Sequence, residues 1–92
     1  MIFLRSKKIT MKATVEISKY PLNADYEPPI IDFIERLNAN KNVLVKTNAT
    51  ATQVVGEFEE VMSLLQAEIK SSFEKYGKAI FVMKVLNGEL DI

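Results

Sequence analysis

Hydrophobic and polar residues alternate from residue 12 to residue 20, which predicts a half-buried strand. The apolar face of this strand consists of Ala13, Val15 and Ile17. Its polar face consists of Thr14, Glu16, Ser18 and Tyr20. Pro21 has no N–H group to give to a sheet, so the strand is predicted to end there.

Two stretches carry apolar residues at helical spacing. The first follows Pro28 and Pro29, which suit the first turn of a helix, and its apolar stripe is Ile30, Phe33, Ile34 and Leu37. The second starts after Gly56 and ends at Gly77, and its predicted inward stripe is Phe58, Val61, Met62, Leu65, Ile69 and Phe73. The acidic residues at its start, Glu57, Glu59 and Glu60, fit a helix N-terminus better than a metal cluster.

The remaining apolar segments are β-branched and short. Residues 43–47 and 50–55 predict a β-hairpin with its turn at Asn48-Ala49. Residues 79–86 are apolar on both faces apart from Lys84, which predicts a final, well-covered strand.

This order of elements predicts an α+β fold, a ferredoxin-like β-α-β-β-α-β sandwich. Its four-stranded antiparallel sheet would have the first and third strands at the centre and both helices on one face. The opposite face, called the open face below, would then be covered by no element of the chain. It should carry Glu16, Ser18, Leu44, Lys46, Asn48, Ile80, Val82, Lys84 and Leu86.

The open face mixes apolar and charged side chains. Uncovered apolar patches usually mark an interface, so a homo-oligomer that packs through this face is expected. Glu16 and Lys84 should face each other on neighbouring strands. Either they form a cross-strand ion pair, or Glu16 accepts a hydrogen bond from the amino group of a heteroaromatic ligand.

Composition narrows the function. The 92 residues fit one domain, predicted at residues 11–92, with residues 1–10 as an N-terminal extension. Twelve basic residues balance twelve acidic ones, which argues against a nucleic-acid partner. Without cysteine or histidine, the common nucleophilic and metal sites are excluded, and we expect no catalytic residue, metal or cofactor. No apolar run is long enough for a signal peptide or a membrane helix, so a cytoplasmic protein is expected.

The segment from Thr47 to Gln53 is the main candidate for ligand binding, because it is rich in hydroxyl and amide groups on short side chains. It is either a threonine-rich hairpin and nothing more, or a set of donors and acceptors for the edge of a flat ring. The candidate ligand-binding residues are Glu16, Ser18, Asn48, Thr50, Thr52 and Gln53.

Several segments together resemble one known family. They are residues 11–22, 47–53, 55–57 and 77–82. In this order they resemble the YkoF-like proteins that bind thiamine or hydroxymethylpyrimidine (HMP), over about residues 11–88.

The resemblance implies a ferredoxin-like fold with open sheets packed against each other. It also implies that the chain binds thiamine or its HMP precursor without converting it, in vitamin B1 salvage or transport, with sites at the sheet face of an oligomer. The protein that names the family carries two such domains in tandem, whereas this chain carries one. A homodimer or homotetramer would therefore supply the second.

Two other function classes remain open. One is a regulatory or assembly module of the same fold that binds another small molecule, such as an amino acid. The other is a hydrolase of the acylphosphatase type, which would need an arginine in a phosphate cradle. Arg5 and Arg36 are the chain's arginines, and neither lies beside a glycine-rich loop. We therefore expect binding rather than catalysis.

Overall fold

The computed structural model describes residues 11–92, so the predicted extension, residues 1–10, lies outside the described part of the chain. The elements in chain order are β1 (Lys12–Pro21), α1 (Glu27–Asn38), β2 (Leu44–Thr47), β3 (Thr52–Glu57), α2 (Phe58–Tyr76) and β4 (Ala79–Asn87). The strands lie in the order β2-β3-β1-β4, and each neighbouring pair is antiparallel. The predicted ferredoxin-like α+β fold is confirmed, with β1 and β3 at the centre.

The core lies between one face of the sheet and the two helices. The sheet contributes Val15, Ile17 and Val54, and the helices contribute Phe33, Leu37, Val61, Leu64 and Leu65. These side chains are at most 9% exposed. Because side chains alternate along a strand, Glu16, Ser18 and Tyr20 of β1 point to the opposite face of the sheet.

The termini of α2 are fixed by the residues that the sequence indicates. Glu57 is the N-cap, and its carboxylate Oε1 accepts a hydrogen bond from the N–H of Glu60 at 3.0 Å. Gly77 ends the helix with a φ of 83°, a value that glycine adopts without strain. The buried face of α2 differs from the predicted one toward its C-terminus. Ser72 is buried there, whereas Phe73 is 44% exposed and contacts Phe81 edge-on.

The prediction that β4 is well covered is wrong. The strand forms an edge of the sheet, and the helices pack mainly over the other strands, so most of β4 is exposed. Ile80 and Val82 are exposed on the open face, and Met83 and Val85 are exposed on the face that carries the helices. An apolar strand of nine residues therefore presents both faces and one backbone edge to the surroundings.

The residues predicted for the open face do lie there according to the strand register, except for Asn48, which lies beyond the end of β2. These side chains form rows across the sheet. A polar row consists of Lys46, Gln53, Glu16 and Lys84, of which all but Gln53 are charged. It separates Ile80 and Val82 from Leu44 and Leu86, so the exposed apolar residues form two patches rather than one.

One end of the open face is covered by a segment that belongs to no helix or strand. Residues 88–92 turn back over it after β4. The hydroxyl of Thr14 donates to the carbonyl oxygen of Gly88 at 2.9 Å and accepts from the N–H of Leu90 at 3.0 Å. Farther across the sheet, the Lys46 ammonium donates to the backbone oxygen of Ile92 at 2.5 Å. This crossing explains why Thr14 and Val55 are buried although they point to the open face.

Candidate functional site

A cavity of about 530 Å³ lies where the end of β1, the first half of α1 and the β2–β3 loop meet. Its volume falls in the range of sites for small molecules, roughly 300–1,000 Å³. The apolar part of its wall includes Ile17, Ile30, Phe33 and Ile34. The polar part includes Ser18, Tyr20, Asn23, Tyr26, Thr47, Asn48, Thr50 and Thr52. No carboxylate from residues 11–92 lines this cavity, so its polar wall consists mainly of neutral hydroxyl and amide groups.

The loop beside the cavity is longer than the predicted Asn48-Ala49 turn. Thr47 and Thr52 form the last pair of β2 and β3, so residues 48–51 lie in the connection. The side chain of Asn48 shapes it, because its Oδ1 accepts from the N–H groups of Thr50 at 2.9 Å and Ala51 at 3.0 Å. An asparagine that bonds the backbone ahead of it in this way holds a turn closed. The short polar side chains of the loop are therefore held at the cavity wall.

The sequence-predicted site residues fall into two groups. Ser18, Asn48, Thr50 and Thr52 line the cavity. Thr52 is the least exposed of the four, and its hydroxyl lies 3.0 Å from that of Thr47. The other two predicted residues, Glu16 and Gln53, face each other across β1 and β3 on the open face, outside the cavity.

Glu16 forms the cross-strand ion pair that is one of its two interpretations. Its carboxylate lies 3.5 Å from the ammonium of Lys84 on the neighbouring strand. The two side chains are 42% and 83% exposed, so this pair adds little to stability. It places a charged pair between the apolar patches of the open face.

Lys19 lines the cavity and was not among the predicted residues. Its ammonium donates to the carbonyl oxygen of Pro29 at 2.8 Å and to the hydroxyl of Ser72. It also lies 5.3–5.7 Å from the ring centroids of Phe33, Tyr76 and Phe81. Partial burial lowers the pKa of Lys19, and the charge of Asp32 opposes this shift. The side chain thus joins β1 to the start of α1 and the end of α2.

One sequence signal does identify Lys19. Strict alternation along β1 puts it on the same face as Val15 and Ile17, where a lysine must be paired or hydrogen-bonded to be tolerated. Asn23 and Tyr26 had no such signal, because they lie between the end of β1 and the start of α1, in a segment without a repeating pattern.

Other kinds of site find no support in the described part of the chain. Among residues 11–92 there is no group of three or more acidic side chains arranged to hold a metal ion. Within the same residues, no helix has the length and apolar character needed to cross a membrane.

The fold and the cavity define a ferredoxin-like α+β domain with a small polar-walled cavity at one corner of its sheet. The model of the YKOF-related family matches residues 12–86, so this chain belongs to that family. No curated protein matches the chain.

Solved structures share the fold. A candidate thiamine biosynthesis/salvage protein from Thermotoga maritima is 22% identical with a TM-score of 0.73, and the match covers 80% of this chain and 81% of the other. A Streptococcus pneumoniae protein is 22% identical with a TM-score of 0.74, covering 87% and 90%. A hypothetical protein from Methanocaldococcus jannascii is 19% identical with a TM-score of 0.72, covering 88% and 84%.

Proposed function

We propose that this protein binds thiamine or its HMP precursor without converting it, in vitamin B1 salvage or transport. The observation that carries the proposal is the corner cavity, whose short hydroxyl and amide side chains surround an apolar wall in a chain of the YKOF-related family. The thiamine-related description of the Thermotoga maritima neighbour agrees with this ligand class.

The cavity has the groups that an aminopyrimidine requires. Such a ring presents an amino donor and ring-nitrogen acceptors at its edge, and threonine, serine and asparagine side chains offer both complements. Ile17, Ile30 and Phe33 give the faces of the ring an apolar surface. The exposed rings of Tyr20 and Tyr26 are available to the cationic thiazolium of thiamine.

Titration calorimetry with thiamine, HMP and a set of amino acids tests this function. We expect binding of thiamine or HMP and none of the amino acids. Failure of both thiamine and HMP to bind at millimolar concentration would contradict the proposal. Binding of an amino acid alone would support the regulatory module instead. Each bound compound should also raise the melting temperature, because it stabilises the native state by mass action.

Asn48→Ala or Thr50→Ala should weaken binding of thiamine or HMP at least about tenfold, or about 1.4 kcal/mol. Asn48→Ala removes the oxygen that holds the loop, and Thr50→Ala removes a hydroxyl from the cavity wall. Calorimetry on the folded variants measures the effect.

Gln53→Ala is the matched control, since it truncates a neighbouring amide on the open face outside the cavity. It should bind as tightly as the parent. If Gln53→Ala instead weakened binding while both loop variants bound as tightly as the parent, the site would lie on the open face.

We also propose that the chain is a cytoplasmic homodimer or homotetramer that packs through the open face. Ile80 and Val82 are exposed there, next to Ser18 and Tyr20 on β1. The latter two residues also line the cavity, so a second sheet laid on this end of the open face would border the ligand site.

A further inference from the structure

β1 is paired on both sides for only part of its length. Its pairing with β4 continues to Pro21 opposite Ala79, whereas its pairing with β3 stops at Ile17 opposite Thr52. The last four residues of β1 therefore have a strand on one side and the cavity, which all four line, on the other.

The backbone groups of β1 alternate between its two neighbours, as in any central antiparallel strand. The carbonyl oxygen of Met11 accepts from Phe58, on the β3 side, and that of Lys12 accepts from Gly88, on the β4 side. Odd-numbered residues of β1 thus direct their N–H and C=O toward β3. By this alternation the N–H and C=O of Lys19 point past the end of β3, toward the loop and the cavity.

The loop residue that would pair with Lys19 is otherwise engaged. Continuing the register by two residues places Thr50 opposite Lys19. The N–H of Thr50 donates instead to Asn48 Oδ1 at 2.9 Å, and its C=O accepts from the hydroxyl of Ser18 at 3.0 Å. Among residues 11–92, no backbone hydrogen bond joins Lys19 to Thr50. The side chains of Asn48 and Ser18 thus hold the loop so that Thr50 does not pair with Lys19.

We infer that the N–H and C=O of Lys19 recognise the edge of the ligand, which takes the place of Thr50 in the ladder. Lys19 lines the cavity, and a strand residue without a partner strand offers one backbone donor and one backbone acceptor side by side. A 4-aminopyrimidine has the complementary edge, with an amino donor adjacent to a ring-nitrogen acceptor. This inference rests on the proposed function and specifies which edge of the ligand the protein binds.

Ser18 is a positioning residue in this arrangement. Its hydroxyl holds the Thr50 carbonyl that would otherwise face the Lys19 N–H. Removing this hydroxyl should let the ladder extend by one hydrogen bond and close the edge. The conservative Ser18→Thr keeps the hydroxyl and should keep the edge open.

Amide hydrogen exchange followed by NMR tests the open edge without any ligand. In the free protein the Lys19 amide should exchange at least about tenfold faster than that of Ile17, which is paired with Thr52. Ser18→Ala should slow exchange of the Lys19 amide, and Ser18→Thr should not. A Lys19 amide as protected as that of Ile17 in the parent protein would overturn the inference, whatever the protein binds.

The second part of the test uses HMP and its 4-dimethylamino analogue, which lacks the amino donor. HMP should slow exchange of the Lys19 amide at least about tenfold, and the analogue should bind at least about tenfold more weakly. If calorimetry shows HMP binding while the Lys19 amide is unaffected, the inference fails and the proposed function stands. If neither thiamine nor HMP binds, the proposed function itself fails, and the assignment of the edge fails with it.

Discussion

Leu65→Ala should lower the free energy of unfolding by about 2–5 kcal/mol. Leu65 lies in the middle of α2, is 1% exposed and belongs to the core cluster with Val15, Ile17 and Val54. The substitution removes buried methyl and methylene groups and leaves a cavity that closely packed neighbours fill only in part. Domains of this size have a stability of only about 5–15 kcal/mol, so the loss is a large fraction of the total.

Denaturant unfolding of parent and variant, followed by circular dichroism, gives this difference. Ile31→Ala is the matched control, because it also shortens an aliphatic helix residue but at a site that is 48% exposed on α1. The control should lose much less stability. Equal losses in the two variants would mean that α2 presents another face to the sheet.

The sequence predicts the fold because each element carries a local signal that agrees with its tertiary role. The alternation around Val15 and the stripe around Leu65 assign the buried face of a strand and of a helix directly. The exposure of β4, in contrast, is not determined by its local sequence. A strand that is apolar on both faces can be a central strand or an edge strand, and its exposure depends on where the helices pack across the sheet. An apolar sequence such as residues 79–86 therefore did not reveal that β4 is exposed.

The part of the site that the sequence did not predict is the conformation of the loop, rather than the strands. The polar residues of the hairpin were recognised from composition, and Ser18, Asn48, Thr50 and Thr52 do meet at the cavity. Composition grouped Gln53 with them, and strand parity put Glu16 on the same face as Asn48, but the structure places both Glu16 and Gln53 outside the cavity. The difference arises at residues 48–51, where the Asn48 side chain directs the loop away from strand geometry. Contacts of this kind depend on a turn conformation that the pattern of residue types does not specify.

Val82→Glu should dissociate the proposed oligomer. Val82 is 51% exposed on the open face, beside Ser18 on β1, and its neighbour on that face of β4 is the equally exposed Ile80. β4 is also a long apolar edge strand, a type that natural proteins commonly shorten, charge or cover. A symmetric interface uses the same patch on both chains, so one substitution introduces two carboxylates. Burying them unpaired costs several kcal/mol, enough to separate the chains.

Light scattering coupled to size exclusion at micromolar concentration measures the outcome. The parent should have the mass of two or four chains, and Val82→Glu should have the mass of one with its circular dichroism spectrum retained. Ile31→Glu is the control, since it makes the same kind of change on an exposed helix residue away from the sheet. It should keep the parent mass. A monomeric parent, or a Val82→Glu variant that keeps the parent's mass, would rule out assembly through this part of the open face. Ser18 and Tyr20 would then border a cavity open to solvent, and the ligand would be held by a single chain.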